Sequence, residues 1–470
     1  MGERTLNRKL MEYKEYIRGR KVAVLGMGVS NTPLIRYLAG MGVSVTAFDK
    51  NEPEKLEEVL KELEGLNVQY SLGNGYLKAL RGFDVVFRTP GIRFDIPELL
   101  EVKAAGAEIT SEMEVFFDLC PAKIFAVTGS DGKTTTTTLI YRMLKEQGFR
   151  CWLGGNIGTP LLDRVAEISE NDLVVLELSS FQLQTMKKSP STAVITNLSP
   201  NHLDVHKSMD EYVDAKKNIF RFQDTDGRLI LNYDNELTRG FAGECRGETV
   251  FFSRNVELRK GAFLKNGMLV YRSGSTNSYM VSESEILIPG AHNVENYLAA
   301  AAAVSDYVKP ETIRKVATTF TGVEHRIELV RELNGIRFYN DSIASSPSRT
   351  IAGLKSFKQK VILIAGGKDK NIPYDILGGV LAEKVKVLVL IGQTAPKIEA
   401  ALLYETIRTG KGRDIEIIHS GTYEDAVKSA YSKAVRGDVI ILSPASTSFD
   451  MFRNFEERGR KFKEIVMNLK

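Results

Sequence analysis

From Gly129 to Thr135 the chain reads Gly-Ser-Asp-Gly-Lys-Thr-Thr, directly after the apolar run KIFAVT and directly before the helical pattern TTTLIYRMLKEQ. Glycines let a loop curl so that backbone N–H groups face phosphate oxygens, a helix N-terminus adds partial positive charge, and a lysine supplies a mobile cation. Gly129, Ser130, Asp131, Gly132, Lys133, Thr134 and Thr135 are therefore candidate contacts to a nucleoside triphosphate, with the Thr134 hydroxyl offered to Mg2+. Val127 stands where the usual G-x-x-x-x-G-K-[ST] has its first glycine, so a plain glycine turn is the competing interpretation. The position between strand and helix favours phosphate.

Other residues with chemical capacity follow the same kind of apolar run. Asn156 lies in GGNIG, Glu177 and Ser179 end DLVVLELSS, and TAVITNLSP leads to Asn201-His202-Leu203-Asp204. A hard carboxylate and a neutral imidazole suit Mg2+ or Mn2+. Taken singly, Glu177 reads as an ion-pair residue, His202 as a loop hydrogen-bonder, and Lys216 and Lys217 of SMDEYVDAKKNIF as solvated helix lysines. The first two gain from sharing the strand-end side of the phosphate loop. Near the start, Gly26-Met27-Gly28-Val29-Ser30-Asn31 follows KVAVL, and the next strand ends at Asp49-Lys50. That incomplete G-x-G-x-x-G keeps an NAD-dependent dehydrogenase open as an alternative.

These residues need a scaffold, and the pattern supplies one. Short runs rich in Val, Ile and Leu alternate with helical segments from Lys21 onward, which predicts an α/β fold with parallel sheets covered on both faces and ligands at the carboxyl ends of the strands. Seams near 112 and 322 divide the chain into a Rossmann-like domain (1–112), a central phosphate-loop ATPase domain (113–322) and a Rossmann-like C-terminal domain (323–470). Short strands between Arg228 and Met280, with Asn266-Gly267 as a hairpin turn, predict an antiparallel flank on the central sheet.

At 470 residues, 43% hydrophobic and 26% charged, the chain can bury several cores. Its 63 basic and 59 acidic residues are interspersed, unlike a nucleic-acid footprint. Three separated cysteines suggest neither a disulfide framework nor a zinc site. No stretch is long and apolar enough to span a membrane, and the polar opening MGERTLNRKLMEYKEYIRGR does not resemble a signal peptide. The expectation is a cytoplasmic monomer with a surface helix at its start.

TGSDGKTTT, followed in order by GGNIG, Glu177, His202 and Y-x-x-A-K, resembles the Mur ligase and folylpolyglutamate synthase superfamily. That resemblance implies ATP-dependent amide-bond formation through an acyl phosphate, with Lys133, Glu177, His202 and Lys216 catalytic. It also implies two metal ions held by Thr134, Glu177, His202 and Lys216, the last carbamylated by CO2. It assigns UDP-substrate contacts to Ser30, Asn31, Asp49, Lys50, Thr89-Pro90-Gly91, Asn156 and Ser179. It assigns Asn296, Arg326 in GVEHR and Asp341 in FYNDS to ATP, with domain closure bringing Arg326 to the phosphates.

GGKDK, SPASTSFD and NFEERG resemble the D-glutamate-adding branch, which would act on UDP-N-acetylmuramoyl-L-alanine in peptidoglycan synthesis. Ser345, Lys370, Ser448, Phe449 and Phe455 then become D-glutamate contacts. Two departures stand out: Asn201 where the family has an acid, and Ile343 where it often has lysine. Other amino-acid-adding or folate-extending ligases, and a catalytically idle nucleotide-binding scaffold, are the remaining alternatives.

Overall fold

Apolar runs shielded on both faces become strands, and the amphipathic segments between them become the helices that do the shielding. The computed structural model describes residues 8–199, 206–370 and 372–470. They form two compact units, one running to Met280 and including Asn296–Ile313, the other made of Val281–Glu295 and Arg314–Lys470.

The first unit holds two sheets. Strands β1 (Lys21–Leu25), β2 (Ser44–Asp49), β3 (Val68–Leu72), β4 (Val85–Arg88) and β5 (Glu108–Thr110) form a parallel sheet of order β3-β2-β1-β4-β5. Its order reverses between β1 and β4, so the loops after these two strands flank the crevice where such sheets bind ligands.

The second sheet has nine strands: β6 (Lys123–Thr128), β7 (Cys151–Gly155), β8 (Leu173–Glu177), β9 (Thr192–Ile195), β10 (Arg228–Asn232), β11 (Glu248–Ser253), β12 (Gly261–Lys265), β13 (Met268–Ser273) and β14 (Thr276–Ser282). Their order is β14-β13-β12-β11-β10-β9-β6-β8-β7. The expected antiparallel flank is present but shorter than the sequence suggests. β10, β11 and β12 continue the parallel sheet, and antiparallel pairing begins only between β12 and β13. The turn between them is Asn266-Gly267, with φ of 50° and 75°, the left-handed pair of a type I′ hairpin.

One apolar core joins these two sheets. It runs from Leu10 and Ile17 of helix Arg8–Arg18 through Val24 and Phe87 to Phe116, Ala126 and Leu176. The opening helix is thus anchored by its apolar stripe, each large side chain contributing about 1.5–3 kcal/mol.

The second unit carries β15 (Glu328–Leu333), β16 (Ile336–Asn340), β17 (Val361–Ala365), β18 (Val385–Leu390), β19 (Glu416–His419) and β20 (Val439–Leu442), ordered β15-β16-β20-β17-β18-β19. Only β15 runs antiparallel to its neighbour. Because β20 lies between β16 and β17, the loops after these three strands emerge together. Among the described residues, no helix is long and apolar enough to cross a membrane.

Candidate active site

Register builds the nucleotide end. Val127 pairs with Glu177 on β8 and Thr128 with Ile195 on β9, so Gly129, Leu178 and Thr196 leave the sheet side by side. Thr196 Oγ1 donates to the Asp131 carbonyl at 2.5 Å, and Asn197 accepts the N–H groups of Ser130 and Asp131, both at 2.9 Å. A methyl group at Gly129 would stand 1.9 Å from Thr196 Oγ1, and one at Gly132 2.3 Å from Asn296 Oδ1. Glycine alone passes here, and the φ of 77° at Gly132 adds a backbone reason.

The loop feeds helix Lys133–Gln147, whose first N–H groups lack intrahelical acceptors and are the donors an anion would use. Its threonines are poor helix formers, but Leu139, Ile140, Met143 and Leu144 bury one face, and Gly148 at φ 107° closes the last turn. Asn296 accepts from Thr136 Oγ1 at 3.3 Å and so borders the loop. Thr134 and Thr135 lie in the first turn.

Helix Met209–Arg221 starts at the Ser208 cap and buries Tyr212, Ala215, Lys216, Ile219 and Phe220. Lys216 therefore lies on the apolar stripe, 2% exposed. Its Nζ donates to Thr128 Oγ1 at 3.0 Å and to the Gly129 carbonyl at 2.9 Å. Lys133 Nζ also donates to Gly129, at 3.0 Å, and to the Ser130 carbonyl at 2.8 Å. Burial, then the neighbouring Lys133 ammonium, hold the Lys216 amine far below the ordinary lysine range, with Glu177 opposing. Lys217 instead pairs with Glu244 at the rim.

Glu177, also 2% exposed, accepts from Asn156 Nδ2 at 2.9 Å through Oε1, while its Oε2 is buried with no hydrogen-bond partner. A buried, unsatisfied carboxylate oxygen is the donor a hard cation takes. Ser179 caps helix Ser180–Leu183 and shares its hydroxyl with Gln182. His202, with Asn201 before it, lies outside the described residues.

Tyr212 carried no assigned role in the sequence, yet its hydroxyl lies 2.9 Å from Ser130 Oγ and ties the Lys216 helix to the phosphate loop. The 3–4 spacing of Tyr212, Ala215, Lys216 and Ile219 was the available signal.

At the first sheet's crevice, Asp49 receives Met27 N–H at 2.8 Å and Asn51 N–H at 2.9 Å, and Asn31 Nδ2 donates to the Leu25 carbonyl at 2.9 Å. These two residues brace the loop after β1. Ser30 and Lys50 lie beside them, and Ser30 makes no side-chain cap bond to the helix that follows. The Thr89-Pro90-Gly91 loop is held from beneath by Arg88, a buried guanidinium donating to the carbonyls of Thr89, Pro90 and Ile92 at 3.3, 3.5 and 2.5 Å. Arg88 reads as a strand residue in the sequence, which hides this function.

In the second unit, Asp341 is buried, accepting from Ser443 Oγ at 2.7 Å and Ile327 N–H at 3.3 Å. Burial pushes its carboxyl up to about 7, against the Ser443 hydrogen bond and the charge of Arg326. Arg326 Nε is buried without a partner. The turn around it is strained, with His325 and Ile327 at φ 64° and 45°, and Ala445 on the facing strand end at 57°. Left-handed non-glycine residues cost about 1–3 kcal/mol each.

Asp341→Asn is expected to stabilise the ligand-free protein in a pH-dependent way. A carboxyl raised on folding contributes stability that is fully present below its unfolded pKa and is lost as pH rises through about 7. The advantage of asparagine over the wild type should therefore grow by roughly 1.4 kcal/mol per pH unit between about pH 4 and pH 7, then level off. Urea unfolding across that range measures it, and a constant difference would contradict it.

Ser345, Lys370, Ser448, Phe449 and Phe455 all lie on the loops after β16, β17 and β20 or at the helix start that follows. Ser448 is buried, Phe449 is 64% exposed, Lys370 is exposed, and Ser345 Oγ donates to the Ile343 carbonyl at 3.4 Å. Phe455 meets His325 edge-on at 6.1 Å. Among the described residues no hydrogen bond joins Lys370 to Ser448. Arg458, fully buried, connects the loops: it donates to Ser342 Oγ at 2.9 Å, the Ser342 carbonyl at 2.7 Å and the Ser446 carbonyl at 3.0 Å.

Comparison with known proteins meets this geometry. The family models of the Mur ligase MurD-like N-terminal domain, the Mur ligase middle domain and the Mur ligase glutamate ligase domain match residues 20–111, 127–304 and 325–446. The chain is 67% identical over 464 residues to the UDP-N-acetylmuramoylalanine–D-glutamate ligase of Acetivibrio thermocellus, covering 99% of this chain and 100% of that one. It is 60% identical over 465 residues to the enzyme of the same name from Ruminiclostridium cellulolyticum, with the same coverage. Its fold is similar to the crystal structure of a UDP-N-acetylmuramate–alanine ligase from Thermotoga maritima, with a TM-score of 0.58 at 19% identity over 96% of this chain and 100% of that chain.

Proposed function

The chain belongs to the Mur ligase family, and from that premise we propose that it joins D-glutamate to UDP-N-acetylmuramoyl-L-alanine in peptidoglycan precursor synthesis. ATP would be converted to ADP and phosphate, and the enzyme would act as a cytoplasmic monomer. The observation that carries the chemistry is the convergence of Lys133, Lys216 and the unsatisfied Glu177 carboxylate on the end of β6. We further propose the three domains 1–112, 113–322 and 323–470 as the units of substrate, nucleotide and amino-acid binding.

Ser30, Lys50 and the Thr89-Pro90-Gly91 loop hold the UDP end, with Asn31, Asp49 and Arg88 keeping those loops in place. Gly129–Thr135, Asn296, Arg326 and Asp341 are assigned to ATP. Lys133 swings from its loop carbonyls to neutralise the γ-phosphate as the substrate carboxylate attacks phosphorus; the P–O bond to ADP breaks and an acyl phosphate forms. Thr134, Glu177 and carbamylated Lys216, with His202, are the residues that would hold two Mg2+ or Mn2+ ions. Such ions, when bound, offset phosphate charge and polarise the transferred group. Ser345, Lys370, Ser448, Phe449 and Phe455 hold D-glutamate, whose amine attacks the acyl carbon. The nitrogen releases a proton to solvent, the C–O bond to phosphate breaks, and the amide and phosphate remain.

Phosphate release from ATP, Mg2+ and UDP-N-acetylmuramoyl-L-alanine should depend on D-glutamate and not on L-glutamate, L-alanine or meso-diaminopimelate. Release with another amino acid would retain the ligase chemistry and overturn the acceptor. ATP binding without any release would favour the idle scaffold.

A further inference from the structure

The loop that ends β4 does more than face the first sheet's crevice. Two residues past Gly91, Arg93 points its guanidinium across the first unit to Glu211 in the first turn of helix Met209–Arg221. Its Nη2 and Nη1 donate to Glu211 Oε1 and Oε2 at 2.8 and 3.4 Å, while its Nε and Nη2 hold Asp95 at 2.8 and 3.0 Å. The network closes on itself. Lys207 Nζ donates to Asp95 at 2.6 Å, Lys207 N–H to Glu211 at 2.5 Å, and Gln184 Nε2 to Glu211 at 3.1 Å.

An isolated exposed ion pair contributes little, because solvent screens it and two side chains must be immobilised. This one differs on both counts. The side chains of Arg93, Asp95 and Glu211 are only 22%, 24% and 22% exposed, and the Arg93 fork is locked on two carboxylates at once. Its two ends also have other anchors: Arg88 grips the β4 loop, and Ser208 Oγ caps the Glu211 N–H at 3.1 Å. Neither end needs the bridge to exist, so its effect is on their separation.

We propose that the Arg93–Glu211 bridge is a positioning device for the ligation, locking the loop on the UDP-substrate side to the helix that carries Tyr212 and Lys216. The inference rests on the proposed function. The substrate must present a carboxylate at the phosphate loop while its nucleotide end is held after β1 and β4, so the spacing of the two loops sets the attack geometry. An error of about 1 Å in such an arrangement can cost about a hundredfold in rate. Arg93 holds Asp95 well below the ordinary carboxylate range, with Lys207 assisting, and it lowers Glu211 as well; the bridge thus stays ionised wherever the enzyme works.

The test is a double-mutant cycle with Arg93→Gln, Glu211→Gln and the pair, on the full chain. Each single exchange should lower kcat about tenfold, and the pair should fall no further than the worse single. KM for D-glutamate, the affinity for UDP measured calorimetrically and the melting temperature should stay near the wild-type values. Singles within twofold of wild type, losses that multiply in the pair, or a parallel drop in UDP affinity and melting temperature would each overturn the bridge. A wild type without D-glutamate-dependent release would strike the ligase function instead. Calorimetric coupling between ATP and the UDP-sugar substrate then decides the bridge: present in wild type and lost in the variants supports it, and equal in all four rejects it.

Discussion

Lys216→Met should abolish turnover, by about a thousandfold or more, in a protein that is harder to melt than the wild type. The two effects have one cause. The amine sits on an apolar helix stripe, 2% exposed, bonded to Thr128 Oγ1 and the Gly129 carbonyl and facing the ammonium of Lys133. A charged amine there is opposed first by burial and then by Lys133. The neutral amine, which burial favours, can form an N–C bond with CO2 and release a proton, becoming the anionic carbamate proposed to hold a metal ion. Losing that clamp removes several kcal/mol of transition-state stabilisation, and each 1.36 kcal/mol is about tenfold in rate.

Methionine fills the same channel without a charge to desolvate. Its stability advantage has a defined sign with pH. A lysine whose pKa falls on folding leaves the unfolded chain binding more protons, so the wild type gains stability as pH rises toward the ordinary lysine range and the gap narrows. Thermal melting and phosphate release measure both effects. Wild-type activity should also fall in CO2-depleted buffer and return with bicarbonate. A Lys216→Met enzyme that keeps a tenth of its activity would remove the carbamate from the mechanism.

Glu177→Gln should lower kcat by about a hundred- to a thousandfold and raise the Mg2+ concentration needed for half-maximal rate about tenfold, without loss of stability. Glutamine preserves the acceptor that Asn156 Nδ2 uses at 2.9 Å, so the loop after β7 stays in place. The change falls on the second oxygen, which is buried and unpaired in the acid. A magnesium titration separates the explanations. An unchanged midpoint with reduced kcat would place the carboxylate on substrate instead, and a fall in melting temperature would make Glu177 structural.

The sequence shows the strands and the phosphate loop because both are written in local patterns. KIFAVT is buried as a continuous strand and Gly129 is required by the closeness of Thr196, which is a spacing that a glycine advertises. Asn266-Gly267 announces its own turn. The extent of the antiparallel flank is not local: β11 is parallel to β10 because the chain between them crosses over, and short β-rich runs look the same in either direction.

Side-chain purpose is less legible still. Asp49 and Asn31 are acid and amide at the right places for ligand contact, yet Asp49 accepts from the loop after β1 and Asn31 donates to the end of that strand. Arg88 and Arg458 work from inside the protein, where sequence predicts apolar residues, because each finds a set of loop carbonyls and hydroxyls that only the folded chain assembles. Lys216 stands out in the sequence only through the family resemblance, because its place on a buried stripe is made by the fold.

The strained turn at His325 and Ile327 bears on how this protein would respond to engineering. Glycine at Ile327 would relax a left-handed backbone, whereas at His325 it would also remove the buried ring that meets Asn340 and Phe455, and asparagine at 341 or methionine at 216 would remove a disfavoured buried charge. A library selected for heat resistance alone would therefore enrich changes at Ile327, Asp341 and Lys216, positions at or beside residues proposed to bind ATP or a metal ion. Directed evolution of a tougher variant should hold these codons constant and draw its improvements from the exposed faces of the helices.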